Sequence, residues 1–184
     1  SIENKETYIE INRNISRIIF EQAFRLKIKR LATISSGAVY HKEGGIFNDI
    51  NKNIYGTLKF EEENLFSGLA NEGTHVVIPR VFNVSGPYTN KIDILMLSSL
   101  INQAINGNEI KIEAAHEVFR SFVAISELMS TVLSVLFDEV EGKVTTFDTV
   151  GEKEFEIGDL AKLVVRMINP MATINRPEID RSLE

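Results

Sequence analysis

The chain of 184 residues contains no cysteine, which excludes a disulfide framework and any thiolate metal site. Its three histidines, His41, His75 and His116, are scattered and make no ligand pattern, so no metal is expected. No apolar run approaches the roughly 18 residues that would suggest a membrane span, and no signal peptide opens the sequence. Positive charge is scarce as well: 20 Lys and Arg against 26 Asp and Glu leave a net charge of −6. That balance argues against nucleic acid or an anionic membrane as a partner, because no stretch collects enough cations to neutralise phosphates. Arg25-Leu26-Lys27-Ile28-Lys29-Arg30 is the one basic run, and it falls where a helix is expected to end, a place that favours cations. These absences fit a cytoplasmic protein. Two of the four prolines lie in the charged tail from Asn169 to Glu184, for which order is not expected. The chain starts at Ser1 rather than Met, which reads as a trimmed or incomplete sequence.

A hydrophobic fraction of 43% is enough for one good core. Apolar residues at Ile11, Ile15, Ile18, Ile19, Ala23 and Leu26 predict a helix from Ile11 to Ile28 that covers a sheet face. Leu31 to Ile34 reads as a short buried strand, followed by a Ser-, Gly- and Asn-rich loop from Ser35 to Asn53. A second helix is expected from Ile54 to Ala70, a strand from His75 to Ile78, and an irregular stretch from Arg80 to Lys91. Helices over Ile92 to Ile105, Ser126 to Phe137 (with Ser126 as its cap) and Gly158 to Ile168 alternate with strands at Glu109 to Glu113, Val118 to Ala124 and Lys143 to Asp148. Such alternation implies an α/β fold with a mostly parallel sheet, in which ligands bind beyond the carboxyl ends of the strands. The Ser36 loop and the Phe82-Asn83 loop both leave predicted strand ends and open on that rim.

Tyr55 and Lys59, in Tyr55-Gly56-Thr57-Leu58-Lys59, lie one helical turn apart on one face. A phenol ordinarily ionises near pH 10, so one that accepts a proton near neutrality needs a shift of about 3 units, roughly 4 kcal/mol. A neighbouring ammonium can supply part of it, and a serine such as Ser36 can donate a hydrogen bond to the reacting oxygen. A Tyr-x-x-x-Lys pair by itself is more often a half-buried tyrosine and a solvated lysine.

Other landmarks change its weight. Ile34-Ser35-Ser36-Gly37-Ala38-Val39-Tyr40 precedes the pair, and Pro79-Arg80-Val81-Phe82-Asn83-Val84-Ser85-Gly86-Pro87 and Arg120-Ser121-Phe122-Val123-Ala124-Ile125 follow it. In this order and spacing the chain resembles the extended short-chain dehydrogenase/reductase family, the nucleotide-sugar epimerases, dehydratases and ketoreductases. The resemblance implies the C-terminal part of a Rossmann-like doubly wound sheet over residues 1–91 and a small α/β substrate-binding region over residues 92–184, with a returning strand near 143–148. It implies catalytic roles for Ser36, Tyr55 and Lys59. Tyr55, Lys59 and Phe82 would contact NAD or NADP, and Ser36, Asn83 and Arg120 a nucleotide-diphosphate sugar. Arg120 suits a diphosphate because its charge is permanent and its fork planar.

Departures from the family pattern refine the expectation. His41 stands where the family usually has Gly, and Ser121 where it usually has Asp. Gly37 and Ala38 cannot supply the acid pair of the dehydrating members, which leaves an epimerase, with a ketoreductase or a non-catalytic binding protein as alternatives. No Gly-x-x-Gly-x-x-Gly fingerprint occurs, so the resemblance puts the pyrophosphate loop before Ser1 and predicts weak dinucleotide binding by this fragment. Arg176-Pro177-Glu178-Ile179-Asp180-Arg181 likewise resembles the start of a tail that runs further. Leu31 to Ile34 would then be an open edge strand, and a homo-oligomer is expected.

Overall fold

The computed structural model describes residues 2–41, 44–46, 49–90, 92–138 and 142–180. It divides into two compact units, Ser1–Phe82 with Glu127–Thr149, and Asn83–Ser126 with Val150–Glu184. The first unit contains α1 (Ile2–Arg25), β1 (Arg30–Ala32), β2 (Ser35–Ser36), α2 (Ile54–Ser67) and β3 (His75–Val81). The second contains β4 (Val84–Ser85), α3 (Met96–Asn106), β5 (Glu109–Lys111), β6 (Phe119–Ser121) and β7 (Val123–Ala124). Helix α4 (Ile125–Leu136), from Glu127 on, and β8 (Val144–Thr149) return to the first unit, and β9 (Glu154–Glu156), α5 (Ile157–Ile168) and β10 (Thr173–Asn175) complete the second. No helix among the described residues is long and apolar enough to cross a membrane.

In the first unit the named strands, among the described residues, all pair in parallel. β3 is central: β1 and β2 run along one side of it and β8 along the other, with Ser35 and Asp148 both opposite Arg80. Val76, Val77 and Ile78 are buried, the unbroken apolar run expected of a strand covered on both faces. On one face Val76 and Ile78 pack with Phe66 and Leu69 from the second helical segment and with Ala23 of α1. The strand expected over Leu31 to Ile34 is β1, which ends at Ala32; Ser35 and Ser36, expected to be loop, form β2, and Arg80 and Val81, expected to be irregular, belong to β3.

Helix α1 begins nine residues before Ile11, at Ile2, and presents a different face from the one expected. Phe20 and Ala23 reach the sheet, whereas Ile11, Ile15, Ile18 and Ile19 are about half exposed. Of the expected stripe Ala23 alone is buried against the sheet, with Phe20 beside it, and Leu26 is exposed. The helix stops at Arg25, with Lys27 in the left-handed region at φ 50°, so the basic run straddles the helix end.

In the second unit α3 and α5 bury Leu100, Ala104, Leu160, Ala161 and Val164 against Ile110 and Ile112. β5 pairs with β10 in parallel, β6 with β9 antiparallel, and β4 with β7 in parallel. Helix α3 starts at Met96 rather than Ile92, and Ser126 is inside α4 instead of capping it. The tail is more ordered than expected as far as residue 180; Arg181 and the rest of it lie outside the described residues. Its order comes from β10 and from Arg176, whose Nη1 and Nη2 each donate to a different Glu156 oxygen at 2.9 Å, while Nε and Nη2 also donate to the Ala114 and His116 carbonyls. Glu156 also caps α5 by accepting from the Gly158 N–H at 2.7 Å.

Burial would raise the Glu156 carboxyl, but the Arg176 fork and the Val118 and Gly158 N–H groups outweigh it and hold it down to about 2. A carboxyl depressed in the folded state stabilises above its unfolded value, about 4.5, and that contribution fades as the pH falls toward 2. Urea unfolding at about pH 7 and pH 3 should show Glu156→Gln costing roughly 1–3 kcal/mol at the higher pH and less than half of that at the lower. An equal cost at both would show that the charge of Glu156 is not the source.

Candidate active site

Ser36 ends β2 at the carboxyl rim of the sheet. Its extended backbone starts a 3-10 turn over Gly37–Val39, and its Oγ accepts from the Ala38 N–H at 3.1 Å, leaving its own proton free to donate. Ser36 pairs with Val81 across the strands, so Ser36 and Phe82 emerge side by side from adjacent parallel strands. Two glycines make this approach possible. A Cβ on Gly37 would sit 2.5 Å from the Phe82 ring, and one on Gly56 only 2.1 Å from the Ala38 carbonyl oxygen.

Helix α2 is delivered to the same turn by Asn53, its cap. The Asn53 amide oxygen accepts from the Gly56 N–H at 2.9 Å, and its nitrogen donates to the Ala38 carbonyl at 2.8 Å. Tyr55 is therefore the second residue of a helix anchored on the serine turn. Its side chain is 47% exposed, and its hydroxyl has no hydrogen-bond partner among the described residues. One turn on, the Lys59 ammonium donates to the Ile34 carbonyl at 2.9 Å and lies 3.4 Å from both oxygens of Glu62. Tyr55 and Lys59 line a groove of about 160 Å³ between α1 and α2, together with Tyr8, Arg13, Ser16 and Glu62.

Phe82 is half exposed and stacks on Tyr40 with ring centroids 6.1 Å apart. Ser36, Tyr55, Lys59 and Phe82 thus all sit on the first unit, around the ends of β2 and β3 and the start of α2. Asn83 and Arg120 belong to the second unit. Asn83 accepts through its backbone from the Val123 N–H at 3.0 Å, and Arg120 is exposed in β6, donating to the carbonyl of its neighbour Phe119 at 2.8 Å. Among the described residues no side chain pairs with its guanidinium. Among the described residues no cluster of three metal-ligating side chains occurs.

Beneath these groups lies a polar frame that the sequence patterns did not reveal. Arg80 forks onto Glu63, Nε to Oε1 at 2.9 Å and Nη2 to Oε2 at 2.6 Å, and Ser35 donates to the same carboxylate. Arg80 Nη1 donates to the Tyr40 hydroxyl at 2.7 Å, and that hydroxyl donates to Asp148 at 2.9 Å. The Glu63 hydrogen bonds push the Arg80 guanidinium above its ordinary range, against the opposing effect of burial. Glu63 is the residue four after Lys59, a spacing that would have pointed to a shared helix face, but nothing local marks Arg80 as its partner.

The family model for the NAD dependent epimerase/dehydratase family matches residues 1–149. Among curated proteins the chain is similar to UDP-glucuronic acid decarboxylase 3 of Arabidopsis thaliana, 28% identical over 71% of this chain and 35% of that protein. It is also similar to UDP-N-acetyl-alpha-D-glucosaminuronate decarboxylase of Bacillus cytotoxicus, 24% identical over 85% of this chain and 52% of that protein. The chain spans about half or less of the length of these relatives. Among solved structures it is similar to UDP-glucuronic acid 4-epimerase from Bacillus cereus in complex with NAD, with a TM-score of 0.75 and 19% identity over 89% of this chain and 54% of that one. The likeness is one of fold: a Rossmann-like parallel α/β sheet with a smaller α/β region.

Arg80→Met should be among the most damaging single changes at this end of the sheet. It strands the Glu63 carboxylate, whose side chain is only 6% exposed, with Ser35 as its remaining partner. A loss of about 3–5 kcal/mol is expected by urea unfolding, partly recovered when Glu63→Gln is added. A loss below about 1 kcal/mol would show that the frame does not hold the strands.

Proposed function

The chain belongs to the NAD dependent epimerase/dehydratase family, and from that premise we propose that it provides the proton-transfer and sugar-holding part of an NAD(P)-dependent enzyme that epimerises a nucleotide-diphosphate sugar at a ring hydroxyl. The observation that supports this reading most is the shared rim: a serine free to donate, an exposed phenol and an anchored ammonium collected at the ends of two parallel strands. The donor set fits the nicotinamide end of a dinucleotide. Lys59 has three N–H donors, of which Ile34 and Glu62 take two, and the half-exposed Phe82 ring offers a flat apolar face.

When bound, the dinucleotide supplies an acceptor for a hydride and later returns it. Ser36 donates to the sugar oxygen and fixes it beside Tyr55. Lys59 favours the phenolate form of Tyr55, which takes the hydroxyl proton and becomes a neutral phenol as the alcohol carbon is oxidised, and the remaining Lys59 N–H would hold a ribose hydroxyl. The ketone formed is then presented by its opposite face. Tyr55, now a phenol, returns the proton to oxygen as the ketone is reduced on that face, and the alcohol is inverted with no net oxidation. Phe82 lines the nicotinamide end, Asn83 holds the sugar, and Arg120 pairs with the diphosphate, a role that suits a fork engaged, among the described residues, by one backbone carbonyl.

A second reading is favoured by the curated relatives, both named as decarboxylases of UDP-sugar acids. A ring ketone two bonds from a carboxylate loses carbon dioxide readily because the electron pair passes to the carbonyl. The same three residues would then open the reaction, and the product would be one carbon shorter. The complete enzyme incubated with UDP-glucuronic acid and NAD separates the readings: an epimer supports the first and a pentose with released carbon dioxide the second. Tyr55→Phe should lower kcat by at least about a hundredfold in either case. Unchanged turnover would remove the mechanism.

Self-association accompanies this reading. β1 pairs only with β3 and so forms an edge of the described sheet, and α1 leaves Ile11, Ile15 and Ile18 uncovered. Sedimentation should find a homo-oligomer, and a strictly monomeric protein at micromolar concentration would count against it.

A further inference from the structure

The mechanism uses Lys59 and gives no role to the carboxylate beside it. Glu62 follows Lys59 by three residues, an arrangement that on an exposed helix face is usually a loose, solvated pair. Here it is held from two other elements. Thr33, just after β1, donates to Glu62 Oε1 at 2.7 Å, and Ser16 of α1 donates to Oε2 at 3.4 Å. The ammonium of Lys59 lies 3.4 Å from both oxygens and keeps its shortest bond, 2.9 Å, for the Ile34 carbonyl.

The other charges around the groove are already committed. From α1, Arg13 faces it, forked onto Glu61 at 2.6 and 2.7 Å. On α2, Glu63 is taken up by Arg80 of β3. Tyr8 from α1 adds a phenol, and Thr33, Ile34 and Ser36 on the strand side carry no charge. Among the described residues the ion-pair partner of Lys59 is Glu62.

We infer that Glu62 is a positioning residue: it pins the Lys59 ammonium against the Ser36 strand and offsets its charge, so that Tyr55 faces half of an ion pair instead of a bare cation. The inference rests on the reading in which Tyr55 exchanges the substrate proton. Its consequence follows from electrostatics. A carboxylate 3.4 Å from the ammonium cancels much of the positive potential that favours a phenolate nearby, so Glu62 sets the lower pH limit at which Tyr55 can act as a base. It also fixes the direction of the remaining Lys59 N–H.

Glu62→Gln tests this, because the amide oxygen still accepts from Thr33 while the charge is gone. In the complete enzyme the acid limb of the pH profile of kcat/KM should move to lower pH by about one unit, a tenfold effect on proton affinity, with KM for the nucleotide sugar changed less than about twofold. Independently of turnover, 13C-tyrosine NMR of this chain should show the ring resonance that disappears in Tyr55→Phe titrating at lower pH in Glu62→Gln by the same amount. Glu61→Gln, which removes a charge whose pair with Arg13 is solvent-exposed and so screened, should move both much less. Thr33→Val, which loosens Glu62 without removing it, should move both in the same direction by less, and serves if Glu62→Gln does not fold. An unmoved acid limb and resonance, or an equal move in Glu61→Gln, overturns the inference. Full turnover by Tyr55→Phe would reject the proton-transfer reading instead, and the two failures are distinguishable because the NMR titration needs no turnover.

Discussion

The Glu63–Arg80 pair is the constraint on which this end of the sheet depends. Neither charge could remain buried alone, since desolvating an ion costs several kcal/mol that only a close, well-oriented partner offsets. The fork meets that condition with two short bonds, and the unused valences are filled: Ser35 on the carboxylate, Tyr40 on the guanidinium, Asp148 on Tyr40. Ser35, Arg80 and Asp148 lie at one level across β2, β3 and β8, so the network runs across the strands at the rim where they end. Backbone hydrogen bonds hold parallel strands together anywhere along their length. This row fixes which residues stand last.

From that row the site is assembled by short-range geometry. Because Ser35 turns inward to Glu63, Ser36 must point to the other side of the pleat, where it caps the following turn. Gly37 lets Phe82 lie over the turn, and Phe82 in turn stacks on Tyr40, a member of the network. Asn53 and Gly56 then bring the helix start within bonding distance of Ala38. Each glycine is needed because another group occupies the space its side chain would take, and a methyl group at Gly56 would meet backbone that has no room to yield.

Much of this was legible in the sequence. The alternation of helices and strands, the rim position of Ser36 and Phe82, and the helical start at Ile54 follow from periodicity and turn residues, which report local structure well. The exposed face of α1 was not legible. Its isoleucines have helical spacing, and spacing shows that a face is apolar without showing what covers it. The order of the tail was hidden for a different reason: Arg176 is 20 residues from Glu156, and nothing in a charged, proline-containing stretch marks a distant carboxylate as a partner. The Arg80–Glu63 pair escaped for the same cause, since a buried pair between a strand and a helix has no periodic signature.

Helix α2 shows how a sequence run that looks like plain surface charge can carry structural information. Glu61, Glu62 and Glu63 are consecutive, so their side chains leave the helix about 100° apart. A run of three acids on a solvated helix would be unremarkable and mildly repulsive. Here each is taken by a different element: Glu61 by Arg13 of α1, Glu62 by Thr33 and Lys59, and Glu63 by Arg80 and Ser35. Three fixed directions around one axis leave the helix no freedom to rotate or slide. The direction in which the Tyr55 side chain leaves the backbone, two turns earlier on the same helix, is thereby set by contacts it does not itself make, so that its phenol ranges over the rim and not over another face of the helix.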